Sequence, residues 1–173
     1  CWRTRMALKH KGLAFESIPW HFTDTDKLAA TGSSRVPAIV DGSTSMGESW
    51  DIAVYLDKTY PDAPALMADE AARARAKLIE SWCTATVFAP MRPIAVMSVY
   101  EIIAEKDKGY FRESREGMLK AKLEDLSKDP ESEARVLNNV LRPACDALEQ
   151  APFLAGNAPD YADYVLFGTL MWP

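Results

Sequence analysis

The sequence predicts a small mixed α/β half followed by an all-helical half. Three observations carry this. Short apolar or alternating runs suited to strands occur only before residue 60. Tyr60-Pro61-Asp62-Ala63-Pro64 then breaks every regular pattern and reads as a linker. Beyond it, apolar residues recur at helical spacing to the end of the chain.

Each element has a local cause. Residues 2–11 read as a helix, because Trp2, Met6, Ala7 and Lys9-His10 keep helical spacing and Gly12 is a natural stop. Phe15-Glu16-Ser17-Ile18-Pro19 alternates and is a strand candidate. Residues 24–31 form a short helix ended by Gly32. Ala38-Ile39-Val40 reads as a buried strand, Gly42-Ser43 as a turn and 44–46 as an edge strand. Residues 49–58 form an amphipathic helix with Ile52, Ala53 and Leu56 inward. After the linker, 69–104 is one long helical stretch, with Pro90 and Pro93 as points of interruption. Further helical segments lie around 109–127 and 133–150. Asp160-Tyr161-Ala162-Asp163 opens a last helix that runs to the C-terminus.

The order is therefore α-β-α-β-β-α, then helices alone, with domains at 1–62 and 63–173. A right-handed strand–helix–strand crossover needs a strand ahead of the helix at 2–11. The first half reads as a small open sheet or, more sharply, as a thioredoxin-like domain whose first strand is cut off.

Composition excludes several classes. At 173 residues, the chain can bury about 70% of its unfolded surface. The net charge of −5 speaks against a nucleic-acid surface, which carries a basic stripe. Cys1, Cys83 and Cys145 are odd in number and widely spaced, so they form no disulfide framework. A reducing compartment, the cytosol, fits best. No apolar run approaches the roughly 18 residues of a membrane span. Cys-Trp-Arg-Thr-Arg at the N-terminus lacks the apolar middle of a signal peptide. His10 and His21 lack metal-ligand spacing, so no metal is expected.

The chemistry concentrates in Arg35-Val36-Pro37-Ala38-Ile39-Val40-Asp41-Gly42 and Glu48-Ser49. Pro37 pushes Val36 toward extended geometry. A trans bond is the commoner state before proline. A cis bond would free the Val36 N–H and C=O to pair with a short peptide, as an added strand would. Ser49 is a good N-cap for the helix at 49–58. The free N–H groups and dipole of that helix start suit a carboxylate, and Glu48 could orient an ammonium beside it. Val-Pro, a two-strand turn and Glu-Ser at a helix start together suit a peptide with a free amino-acid end.

These stretches resemble a known family. Ser-Arg-Val-Pro-Ala-Ile-Val-Asp-Gly, Glu-Ser-Trp-Asp-Ile-Ala-Val-Tyr-Leu-Asp and Thr-Tyr-Pro-Asp are similar to the glutathione-binding half of cytosolic glutathione S-transferases. Trp-Arg-Thr-Arg-Met-Ala-Leu-Lys-His-Lys-Gly and Ile-Pro-Trp-His-Phe-Thr resemble the β-etherase-type branch of lignin-degrading bacteria and wood-decay fungi. Phe153-Leu154-Ala155-Gly156 and Asp160-Tyr161-Ala162-Asp163 are similar to the start of the family's helix 6, and the chain stops inside that helix.

The resemblance implies roles. Val36, before Pro37, would pair its backbone with the cysteinyl part of glutathione. Glu48 and Ser49 would hold the γ-glutamyl group, and Arg35 would lie beside the ligand. Asp160 and Asp163 would be the N-cap and N3 residues of helix 6, which also follows from carboxylates satisfying free N–H groups. Glutathione is the implied co-substrate, with a small hydrophobic or aromatic second substrate and a homodimer as the assembly. The residue that activates the thiol would stand three positions ahead of Cys1. Cys1 itself, at a helix N-terminus, is the weaker candidate.

Other residues carry plainer expectations. Arg3 and Arg5 read as surface residues rather than ligand contacts. Trp82, Phe88, Met91 and Met97 read as helix-bundle core, with a co-substrate wall as the alternative. Cys83 reads as a buried apolar residue. Arg73, Arg75 and Lys77 make a charged face. The function expected is an etherase-like glutathione transferase. The alternatives are a glutathione-binding or protein-interaction module of the same fold, or an incomplete gene product.

Overall fold

The computed structural model describes residues 1–29, 31–126 and 129–171. The elements in order are α1 (Trp2–His10), α2 (Thr25–Ala29), β1 (Ala38–Asp41), β2 (Thr44–Gly47), α3 (Ser49–Thr59), α4 (Glu70–Trp82), a π-helical turn (Cys83–Val87), α5 (Phe88–Ile102), α6 (Glu105–Leu119), α7 (Leu123–Leu126), α8 (Pro130–Gln150) and α9 (Tyr161–Leu170). The expected architecture, a small thioredoxin-like sheet with its helices followed by a helical half, is present. Its sheet has two antiparallel strands among the described residues.

Three expectations about the elements need correction. Phe15–Pro19 forms no strand. A strand needs a ladder, and among the described residues this segment has none; the Pro19 carbonyl accepts instead from Lys27 Nζ at 3.2 Å. β1 forms, but Val40 is 63% exposed rather than buried. It pairs on one edge only. The long helix runs through Pro90 and Pro93, and its irregularity lies one turn earlier, at Cys83–Val87. Pro90 offers no N–H to the Thr86 carbonyl and its ring crowds that carbonyl. A widened turn ahead of it relieves the crowding.

The main core is centred on α9, which packs against α1 on one side and α4 on the other. Six of its ten residues are buried: Tyr161, Ala162, Tyr164, Val165, Leu166 and Thr169. Ala7 of α1, Ile52, Ala53 and Leu56 of α3, and Cys83 and Val87 of the π turn close around it. At the α1–α9 crossing a Cβ on Gly168 would lie 2.8 Å from the Arg3 backbone nitrogen, so only glycine permits this approach. Arg3 is thereby largely covered, and its guanidinium donates to Thr169 Oγ1 at 2.7 Å. The surface placement expected for Arg3 is not what the fold gives it.

α9 starts in a capping box. Asp160 accepts from the Ala162 N–H at 2.8 Å, and Asp163 accepts from the Asp160 N–H at 3.1 Å. Asp163 also accepts from the Leu154 N–H at 2.8 Å, which fixes the preceding turn. The linker is held from the other half. Asp57 of α3 accepts from the Leu66 and Met67 N–H groups, both at 2.9 Å, and from buried Lys11 at 3.0 Å.

A second, smaller core lies between α5, α6 and α7, around Val96, Val99, Phe111 and Leu123. Phe22, from the segment ahead of α2, packs into it and meets Phe111 edge to face. Beside it, buried Asp107 accepts from the Thr23 hydroxyl at 2.7 Å, the Thr23 N–H at 3.0 Å and His21 Nδ1 at 3.1 Å. Burial opposes ionisation of Asp107, but the bonds from Thr23 and His21 outweigh it and hold the carboxyl below its usual range.

Two outcomes follow from these contacts. Asp160→Ala removes a helix cap and should lower stability by about 2 kcal/mol in urea unfolding, without changing the slope of the transition. The folded Asp107 has a depressed pKa, so its contribution is complete above the unfolded value of about 4 and is lost as pH falls through the folded value. Melting temperature should therefore fall more steeply with acid below about pH 4 in the natural chain than in Asp107→Asn.

Candidate functional site

The hairpin fixes the geometry of the residues singled out by the sequence. Ala38 pairs with Gly47 and Ile39 with Met46. Beyond the last rung the chain continues directly into Val36-Pro37 on one side and Glu48-Ser49 on the other. The four residues thus converge at the open end of the hairpin, although they are up to 13 positions apart in the chain.

The Val36–Pro37 peptide bond is cis. Val36 is 43% exposed, and its backbone makes no hydrogen bond with any described residue. Arg35 is exposed and held through its backbone. The Ser33 hydroxyl donates to the Arg35 carbonyl at 2.7 Å and accepts from the Arg35 N–H at 3.3 Å. Ser33 in turn rests on Gly47, where a Cβ would sit 2.6 Å from Ser33 Oγ. A residue without a side chain at 47 is what lets this loop lie against the strand.

Across from Val36, the cap of α3 differs from the sequence expectation. The N-cap is Glu48, not Ser49, and no side chain caps the helix. Glu48 has φ 62° and ψ 120°. A non-glycine residue at positive φ is strained, and such strain gathers at ligand-binding positions. The Glu48 carbonyl accepts the first intrahelical bond, from the Ile52 N–H at 3.0 Å. The N–H groups of Ser49, Trp50 and Asp51 are the orphans of the helix start, aligned with the positive end of its dipole. With the capping role vacant, the Ser49 hydroxyl makes no side-chain bond among the described residues and is open to a ligand.

Residues that the sequence did not single out position this site. Buried Tyr161 of α9 donates its hydroxyl to the Ser49 carbonyl at 2.6 Å, and burial pushes its ionisation well above the usual phenol range. Tyr55 and Tyr60 both donate to Asp41 at the hairpin turn, at 2.9 and 2.6 Å. Tyr161 lies 112 residues from Ser49, and no local pattern signals that contact.

A cavity of about 910 Å³ runs from Val36 and Pro37 beneath α1 to Cys1. Cys1 is exposed and makes no side-chain cap bond to α1. The other candidates lie elsewhere. Met91 is buried, and Met97 packs into the second core. Arg92 lies over the Phe88 ring at 5.2 Å. Trp82 borders a separate apolar cavity of about 380 Å³ between α4 and α8. Cys83 is fully buried, and burial pushes its thiol up. Cys145 is exposed. Arg5 lies over Trp2 at 5.3 Å, and Lys77 lies over Trp50 at 4.4 Å with Arg73 beside it at 5.9 Å. Arg75 pairs with Asp160. His10 bonds the Tyr164 hydroxyl at 2.8 Å and the Ala65 carbonyl at 3.1 Å. Among the described residues no cluster of His, Cys, Asp and Glu is suited to a metal ion, and no helix is long and apolar enough to cross a membrane.

If strain at Glu48 serves ligand binding rather than folding, Glu48→Gly should raise stability by about 1 kcal/mol. Chemical denaturation checks this, and a loss of stability would assign Glu48 a structural role instead.

Comparison with known proteins identifies the chain's relatives. Residues 1–59 match the glutathione S-transferase N-terminal domain, and residues 74–173 match the glutathione S-transferase C-terminal domain. The chain is 32% identical to glutathione S-transferase Z2 of Arabidopsis thaliana over 60% of its own length and 47% of the relative's. It thus spans about half of that relative. It is 26% identical to the glutathione S-transferase-like protein ustS of Aspergillus flavus, over 98% of this chain and 71% of that protein. Among solved structures, glutathione transferase GSTFuA3 from Phanerochaete chrysosporium aligns with a TM-score of 0.87 at 26% identity, over 97% of this chain and 74% of that one. A glutathione S-transferase of Ceriporiopsis subvermispora in complex with glutathione aligns with a TM-score of 0.84 at 26% identity, over 95% and 75% of the two chains.

Proposed function

Because the chain belongs to the glutathione S-transferase family, we propose that it binds glutathione across the open end of the β1–β2 hairpin and serves as a glutathione transferase. The observation that carries this is the juxtaposition of the unpaired Val36 backbone with the uncapped start of α3. An extended peptide pairs with a free N–H and C=O as an added strand does. The α-carboxylate of its γ-glutamyl end meets the orphan N–H groups of Ser49, Trp50 and Asp51 and the Ser49 hydroxyl. Glu48 stands where it can accept from the ligand's ammonium group. Arg35 adds a positive charge beside the ligand. The similar Ceriporiopsis subvermispora protein was solved with glutathione bound, which supports this choice of peptide.

The reaction we assign is attack of the glutathione thiolate on an electrophilic or aryl-ether carbon. A carbon–sulfur bond forms as the carbon–oxygen bond breaks, and the leaving phenolate takes up a proton. The named residues bind and orient the thiol. Its activation is assigned to no residue of this chain. The etherase-like choice of substrate rests on the resemblance of residues 2–12 and 18–23 to that branch. A homodimer as the working assembly rests on the family alone, and the division into a glutathione-binding part at 1–62 and a helical part at 63–173 rests on the linker at Tyr60–Pro64 and the change of pattern beyond it.

Isothermal calorimetry with reduced glutathione tests the site. Ser49→Ala should weaken binding about tenfold, the loss of one hydrogen bond to a charged group. Unchanged affinity would remove the head group from this helix start.

A further inference from the structure

Two arginines of the helical half are held together without a counter-charge. α5 and α6 are joined by Ile103 and Ala104 alone, and the chain reverses there. Arg92 of α5 thereby comes close enough for its charge to act on Arg115 of α6. Both side chains are half-buried. Arg115 lies over Phe111 at 4.8 Å and over Phe22 at 5.5 Å, and Arg92 lies over Phe88 at 5.2 Å.

Neither arginine meets a carboxylate among the described residues. Arg115 donates to the Ser114 hydroxyl at 3.0 Å. A guanidinium carries five N–H donors, so most donors of the pair are unused. Burial lowers the ionisation of Arg115 below the usual guanidinium range, and the charge of Arg92 adds to this against the opposing effect of Tyr110. Scarcity of acid is not the cause, because the chain has 25 acidic residues against 20 basic ones. Arg112, one turn earlier on α6, is paired with Glu116 at 2.9 Å and Glu124 at 2.7 Å. Two like charges drawn partly out of water carry a cost that an anion would remove, and such groups gather at functional sites.

The geometry also selects the anion. The aromatic rings fix the planes of both guanidinium groups, so little freedom is left to lose on binding. A guanidinium edge matches a planar anion with two oxygens. Beside the cations Tyr110 is 52% exposed and Phe22 is half-buried. That aromatic flank suits a ring better than a bare ion.

We propose that Arg92 and Arg115 bind the carboxylate of an aryl carboxylate, at a site apart from the helix start at Ser49. Phe22 connects the two places. It belongs to the segment ahead of α2, and its ring meets that of Trp20 at 5.7 Å. Trp20 borders the cavity that begins at Val36. An aryl carboxylate on the arginine pair therefore rests against the segment that walls the glutathione cavity.

The test is a titration of the 173-residue chain with benzoate, followed by ligand-observed NMR without glutathione. Benzyl alcohol and inorganic phosphate are the comparison probes. Benzoate affinity should fall about tenfold in Arg92→Gln and in Arg115→Gln, the loss of a charged hydrogen-bonding partner. Arg92→Lys keeps the charge and loses the planar fork. It should also bind benzoate more weakly, with the melting temperature of the natural chain. Benzyl alcohol has the ring without the charge and should bind at least about tenfold more weakly. Phosphate should not displace benzoate at equal concentration. No benzoate binding by the natural chain, unchanged binding in the arginine variants, benzyl alcohol binding as tightly, or displacement by phosphate would overturn the proposal. Glutathione is absent throughout, so failure here leaves the Ser49 measurement standing.

Discussion

The start of α9 is the constraint on which the other contacts depend. Its N–H groups are buried with the helix, so they must be satisfied within the protein. Asp160 and Asp163 do this reciprocally, and the same two side chains tie down Arg75 and the turn at Leu154. With that end fixed, Tyr161 projects across the core and donates to the Ser49 carbonyl. The beginning of α3, where the ligand's head group is proposed to sit, is therefore set by a helix from the other half of the chain. An exposed loop could not give the same precision, because its backbone would be free to move with solvent.

Two features at the hairpin end combine structural cost with an open surface. Glu48 occupies positive φ, and Val36 leaves its backbone unpaired among the described residues. Neither helps the fold by itself. Stability comes from elsewhere, from the α1–α9 crossing, the Asp57 contacts with the linker and the paired tyrosines on Asp41. This division is typical of a binding site, in which local strain persists because surrounding packing over-determines it.

Much of this was legible in the sequence. Helix α3, the turn at Gly42-Ser43, the linker at Tyr60–Pro64 and the acidic start of α9 each follow from local patterns of a few residues. The misread points share a different cause. Phe15–Pro19 has the right alternation, but a strand is defined by its neighbour and not by its own sequence. Ser49 is an excellent cap by type, yet the chain turns one residue earlier, where Glu48 takes up the reversal. Arg3 looks like a surface cation until Gly168, far along the chain, lets α9 approach and cover it. Tyr161 and Ser33 matter only through partners that folding brings near. Periodicity reports which face of an element is buried, and it is silent on what lies against that face.

The close passage of α1 over Gly168 also bears on how such chains can change over time. With the backbones this near, the two helices fit only as a matched pair, and α1 comes from the first half while α9 comes from the second. The halves differ in architecture, but their seam runs through this crossing rather than through the Pro-rich linker. An exchange of halves between relatives would join at the linker and split the pair. A half carrying a larger residue at 168 could not accept this α1 without moving the two helices apart.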